Sequence, residues 1–134
     1  MKSNILVIED NEKNMYLMTF MLEKNGYEFV QARDGREGIE LATSVKPTLI
    51  LLDIQLPVMD GYAAAEELRS NENFADVPIV AVTSYAMAGD RERVLAADCT
   101  GYIEKPINPD TFINELQKYL PSGRARTPEG GRGE

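Results

Sequence analysis

Five short apolar runs, each followed by a helix-like segment, constrain this chain more than any other feature. The runs are Asn4–Ile8 (NILVI), Glu28–Ala32 (EFVQA), Leu49–Leu52 (LILL), Ile79–Val82 (IVAV) and Tyr102–Glu104 (YIE). Strands that alternate with helices are joined by crossovers, so they pair in parallel and carry helices on both faces. The first, third and fourth runs are almost unbroken in apolar residues, as strands covered on both sides must be. The second and fifth are mixed, which suits edges. The 134 residues suffice for one such domain with a real core. The expected fold is α/β, a doubly wound five-stranded parallel sheet, and for five strands the common order is 2-1-3-4-5.

Helix punctuation agrees with this division. The segment from Asn11 to Asn25 is followed by Gly26, a residue suited to the left-handed position after a helix. Asp34 is expected to cap a helix running to about Val45, ahead of Pro47, and Asp60 another running to about Asn71. Asn108-Pro109-Asp110 reads as a cap, a first-turn proline and a dipole-facing acid, opening a helix with Phe112, Ile113, Leu116 and Leu120 inward. The start of the fourth helix is left open, because Gly89-Asp90 can begin it or interrupt it. The domain is expected to span residues 1–120. The remaining segment 121–134, PSGRARTPEGGRGE, has four glycines, two prolines and no apolar side chain larger than alanine, and it is expected to be a disordered tail.

Charge and composition exclude several functions. Lys plus Arg number 14 and Asp plus Glu 22, a net charge of −8, which disfavours direct contact with nucleic acid phosphates. Histidine is absent, which removes His-based triads, His-ligated zinc and a phosphohistidine formed on this chain. The single cysteine, Cys99, allows no internal disulfide and fits a reducing compartment. No apolar run reaches the length of a membrane span, and MKSNILVIED does not read as a secretory signal. A cytoplasmic location is the expectation.

The polar residues collect at the carboxyl ends of the runs. Glu9-Asp10 ends the first, Asp53 the third, Thr83-Ser84 the fourth and Lys105-Pro106 the fifth. In a doubly wound sheet that edge is where ligands bind. The order 2-1-3-4-5 makes Asp10 and Asp53 neighbours and puts Lys105 two strand spacings, about 9.6 Å, from Asp53. Each feature alone has an ordinary explanation as a cap, a turn or a solvated lysine, but their meeting on one rim does not. Crowded carboxylates repel, and a hard divalent cation such as Mg²⁺ relieves them. Asp10 and Asp53 are expected as direct ligands, with Glu9 acting through water. Lys105 and the Thr83 hydroxyl then face an incoming phosphate, and Asp53 is the expected nucleophile.

The motifs ILVIEDN, LILLDIQLPVMDG, PIVAVTS and GYIEKPI, in this order, resemble the receiver domains of two-component response regulators over residues 4–120. The resemblance implies a flavodoxin-like fold, with Asp53 as phosphoacceptor. It implies Mg²⁺ held by Glu9, Asp10, Asp53 and the backbone carbonyl of Gln55. Thr83 is implied as the residue that contacts the phosphoryl group and reports it, Lys105 as its ion-pair partner ahead of a cis Pro106, and Tyr102 as an aromatic switch. Gln55 and Tyr85 fall where the family tunes phosphate lifetime. The implied partners are a histidine kinase or histidine phosphotransfer protein and a downstream protein target, with no nucleic acid or membrane. Such a domain modifies only itself and is not an enzyme acting on a separate substrate. The pattern is similar to single-domain cell-cycle regulators and to receiver modules of hybrid histidine kinases. Two other classes stay open: a receiver-like scaffold that is not phosphorylated, and an aspartyl-phosphate phosphatase, which would carry an acid where Gln55 stands.

The first helix contains MYLMTFML at positions 15–22. With Leu17, Met18, Met21 and Leu22 toward the sheet, Met15, Tyr16 and Phe20 are expected outside, as a docking patch for a partner.

Overall fold

The structure, a computed structural model, describes residues 4–56, 59–84 and 88–120, with side chains for all of these but 88–91. The elements are β1 (Asn4–Ile8), α1 (Glu12–Lys24), β2 (Glu28–Ala32), α2 (Gly35–Val45), β3 (Leu49–Asp53), α3 (Gly61–Arg69), a 3-10 turn (Glu72–Phe74), β4 (Ile79–Thr83), α4 (Ala88–Ala96), β5 (Gly101–Glu104) and α5 (Phe112–Gln117). The strands form one parallel sheet in the order β2-β1-β3-β4-β5, the topology expected from the sequence. The tail and Tyr85 lie outside the described residues.

Alternation along the central strands builds a core on each face. Ile5, Val7, Leu49, Leu51, Val80 and Val82 point toward α1 and α5. Leu6, Ile8, Ile50, Leu52, Ile79 and Ala81 point toward α2, α3 and α4. All five residues of β3 and of β4 are buried, so these strands hold the rim of the sheet rigidly. Among the described residues no helix is long and apolar enough to cross a membrane.

Two expected caps are made, at Asp34 and Asp60, and Asn11 adds a third. Asn11, Asp34 and Asp60 accept hydrogen bonds from the amides of Asn14 (3.0 Å), Glu37 (2.8 Å) and Ala63 (2.9 Å), each satisfying an amide that the helix leaves unpaired. Gly26 takes φ 85°, as its place after α1 requires. The last helix departs from expectation. The Asn108 side chain accepts from the amide of Asp110, two residues on (2.9 Å), which closes a turn instead of capping a helix. α5 therefore begins at Phe112, whose ring is buried. α3 also ends early, at Arg69, because Asn71 turns its side chain to the Asn73 amide (2.9 Å) and starts the 3-10 turn.

Met15 was expected on the surface and is buried instead, 1% exposed. The buried stripe of α1 is Met15, Met18, Thr19 and Leu22, with Met21 beside it, a spacing of three, four and seven residues. Thr19 belongs to it because its hydroxyl donates to the Met15 carbonyl (2.8 Å), so it enters the core with its polar group satisfied. That rotates the helix and leaves Leu17 only partly buried. Tyr16 and Phe20 are exposed, at 68% and 48%.

Arg69 fastens the end of the sheet away from these caps. Its guanidinium donates to the carbonyls of Phe74 (2.6 Å), Val77 (2.7 Å) and Asp98 (2.9 Å) and to the Thr100 hydroxyl (3.3 Å). It thereby ties α3 to the segments that lead into β4 and β5. Arg69→Ala removes all four bonds, the Phe74 carbonyl keeping only the Val77 amide (3.3 Å), and a loss of about 2–4 kcal/mol is expected, measured as a lower urea midpoint at unchanged m value.

Candidate functional site

The ladders set the positions of the strand-end residues. Ile8 pairs with Leu52, Asp53 with Val82, and Thr83 with Glu104. The side chains beyond those pairs therefore meet at one rim.

Glu9 continues the β1–β2 ladder through its amide, bonded to the Ala32 carbonyl (3.0 Å), and its side chain is fully buried. Oε2 accepts from the Asn11 amide (3.0 Å). Oε1 has no hydrogen-bond partner among the described residues. Asp53 closes β3 and is 3% exposed. Its Oδ1 accepts from the Gln55 amide (3.0 Å) and from Lys105 Nζ (3.1 Å). The same ammonium lies 3.4 Å from Glu9 Oε1, near enough for charge attraction but not oriented as a hydrogen bond. Lys105 reaches the rim across two strand spacings, as its stem length allows. Its amide bonds the Thr83 carbonyl (2.7 Å), and the Lys105–Pro106 peptide is cis. Thr83 is buried at the end of β4.

Two buried carboxylates share a single ammonium here. Burial first, and the Asp53 charge second, push the Glu9 carboxyl up to about 7, and Lys105 offsets this only in part. Asp10 sits beside them but is exposed, and none of the described hydrogen bonds or ion pairs uses its side chain. Gln55 is exposed next to Asp53, while Tyr102 is half-buried on β5. Among the described residues no three acidic or sulfur side chains are gathered to hold a metal. Magnesium asks for less, one or two carboxylates with carbonyls and water. A Glu9 oxygen with no hydrogen bond, facing a second hard carboxylate, fits such an ion.

Two features escaped the sequence reading. Glu9 was expected at a distance, through water, yet it is the most buried acid of the set. Its signal was the unbroken apolar run ahead of it, which carries the strand's burial one residue further. The second is Gly61. A Cβ there would lie 2.5 Å from the Asp53 carbonyl oxygen and 2.5 Å from Ile54 Cα, and the Gly61 amide bonds the Ile54 carbonyl (2.9 Å). Gly61→Ala therefore has to separate the start of α3 from the Asp53–Ile54 main chain. A loss of about 1–3 kcal/mol is expected, read by urea unfolding.

The family model described as "Response regulator receiver domain" matches residues 5–117. The polar-differentiation response regulator DivK of Brucella ovis is 41% identical over 120 residues, covering 90% of this chain and 98% of that one. Among solved structures, the Vibrio cholerae chemotaxis protein CheY4 superposes with a TM-score of 0.86 at 28% identity, covering 90% of this chain and all of that one. The receiver domain of the sensor histidine kinase PA1611 from Pseudomonas aeruginosa, whose structure holds a magnesium ion coordinated in its active-site cleft, superposes at 0.81. It is 37% identical, with 89% of this chain and 98% of that one covered. The chain belongs to the response regulator receiver domain family.

Proposed function

We propose that this receiver accepts a phosphoryl group on Asp53 from a histidine kinase or histidine phosphotransfer protein, with Mg²⁺ required, and signals through protein contacts. The observation that carries this reading is the sharing of one ammonium, Lys105 Nζ, between two buried carboxylates, Asp53 at 3.1 Å and Glu9 at 3.4 Å. A stable fold does not call for that much buried negative charge, whereas a site for a cation and a phosphate does.

Glu9, Asp10, Asp53 and the Gln55 carbonyl would hold Mg²⁺. Bound there, the ion offsets the negative charge on the carboxylates and on the phosphoryl oxygens. An Asp53 oxygen attacks phosphorus, a P–O bond forms, and the bond to the donor nitrogen breaks with the electron pair leaving on that nitrogen. The Gln55 amide orients the Asp53 carboxylate through its 3.0 Å bond. Lys105, already at the carboxylate, becomes the counter-ion of the added phosphate, and Thr83 supplies a hydroxyl at the adjoining strand end. The added charge then alters the surface around α4, β5 and α5, with Tyr102 as the moving aromatic. The domain changes only itself and turns over no separate substrate, and it works in the cytoplasm.

The docking patch is reduced to Tyr16 and Phe20, whose rings stack with centroids 5.9 Å apart; buried Met15 leaves it. Exposed paired aromatics suit a protein partner.

The test uses the full chain with acetyl phosphate. A phosphate-sized mass gain is expected with Mg²⁺, lost in EDTA, removed by hydroxylamine and absent in Asp53→Asn. No gain, or a gain that survives Asp53→Asn, overturns the reading.

A further inference from the structure

α4 is thinly anchored. Of its described side chains only Val94 is buried, and Leu95 beside it is 59% exposed. Its foot is fixed separately, because Arg69 holds the Asp98 carbonyl (2.9 Å), with Ala97 and Cys99 buried on either side. Above the foot, Val94 enters the core cluster that also holds Ala64, Ala65 and Leu68 of α3, and a surface contact joins the two helices as well. The guanidinium carbon of Arg93 lies 4.1 Å from the centre of the Tyr62 ring, a cation–π geometry. Tyr62 is half-buried against the core on that face. It is also the residue after Gly61, which abuts the Asp53 carbonyl too closely to admit a Cβ. Gly61, Tyr62 and Arg93 thus connect the main chain at the Asp53 end of β3 to α4.

We propose that the Arg93–Tyr62 contact is a clamp that couples the Asp53 site to α4. It holds α4 against the first turn of α3, and a displacement of Gly61 against the Asp53–Ile54 main chain loosens or tightens that hold. Arg69 supplies the fixed end about which α4 moves. The clamp itself stands on the contact alone, and only its use in signalling rests on phosphorylation of Asp53.

Hydrogen exchange of the full chain, followed by mass spectrometry over residues 92–97, separates the two. In the unmodified protein, Arg93→Gln and Tyr62→Leu are each expected to speed α4 exchange by about 2- to 5-fold. The double variant should match the singles, because they break the same contact, and Arg93→Lys should fall between. Unchanged exchange, or single effects that multiply in the double variant, overturns the clamp. With acetyl phosphate and Mg²⁺, wild type should change its α4 exchange, and Arg93→Gln should show less than half of that response. A full response in Arg93→Gln, with the mass gain present, overturns the coupling. A wild type that gains no mass overturns the phosphorylation reading and leaves the clamp to be judged by the first comparison.

Discussion

Glu9→Gln is expected to make the protein more stable in EDTA at pH 8, against the usual cost of altering a buried residue. Glu9 is fully buried with one oxygen that has no hydrogen bond, and its carboxyl is raised to about 7, by burial first and Asp53 second. A carboxyl raised on folding contributes stability that is complete below its unfolded pKa, near 4.5. That contribution is lost as pH climbs through the folded value near 7. At pH 8 wild type therefore carries an ionised, badly solvated group that glutamine removes. The gain is about 1–3 kcal/mol, or roughly 3–10 °C in Tm, and it should vanish near pH 4. Millimolar Mg²⁺ should raise the Tm of wild type at pH 8 and do much less for Glu9→Gln. Thermal melts at the two pH values, with and without Mg²⁺, measure both effects. A lower Tm for Glu9→Gln at pH 8 would contradict the crowding.

Lys105→Ala works in the opposite direction and by more. Its ammonium faces Asp53 and Glu9, and its side chain is only 12% exposed. Removing it leaves two buried carboxylates without a described counter-charge, an arrangement that costs about 3–5 kcal/mol. The cost should be largest above pH 7, where Glu9 is ionised, and smaller at pH 5, where it holds its proton. Mg²⁺ should recover part of the loss. The double variant Glu9→Gln/Lys105→Ala should lose less than Lys105→Ala alone, since one of the stranded charges has gone. Urea unfolding at pH 5 and pH 8 reads these differences, and a loss independent of pH would assign Lys105 a packing role only.

Much of this architecture was legible before any coordinates, because it depends on local pattern. Strand β1 and strand β2 have the bounds read from their runs. Strands β3 and β4 each extend one residue further, because Asp53 and Thr83 end them as polar residues yet stay within the ladder. Caps at Asp34 and Asp60 were readable from residue type and position alone. What was hidden depends on which amide a side chain reaches. Asn108 bonds the amide two residues on, and residue type cannot distinguish that from a bond three residues on. Met15 was misplaced because the inward stripe was drawn through Leu17, whereas it runs through Thr19, whose hydroxyl bonds its own helix carbonyl and so packs like an apolar group. Arg69 and the Arg93–Tyr62 pair gave no local signal, as their partners meet only through the fold. At the rim, topology and side-chain length sufficed to bring Lys105 to Asp53. They did not reveal that Glu9 would be buried and Asp10 left in solvent.

The central claim concerns where a cation goes and what it places next to Asp53. The direct measurement is a crystal structure with Mn²⁺ in place of Mg²⁺, located by its anomalous signal. The expected peak lies at the rim, with Asp53 as a ligand, the Gln55 carbonyl turned toward it, and Glu9 or Asp10 completing the acidic side at about 2.1 Å or through water. An anomalous peak elsewhere, or an Asp53 carboxylate bound to Lys105 alone at saturating Mn²⁺, would contradict it.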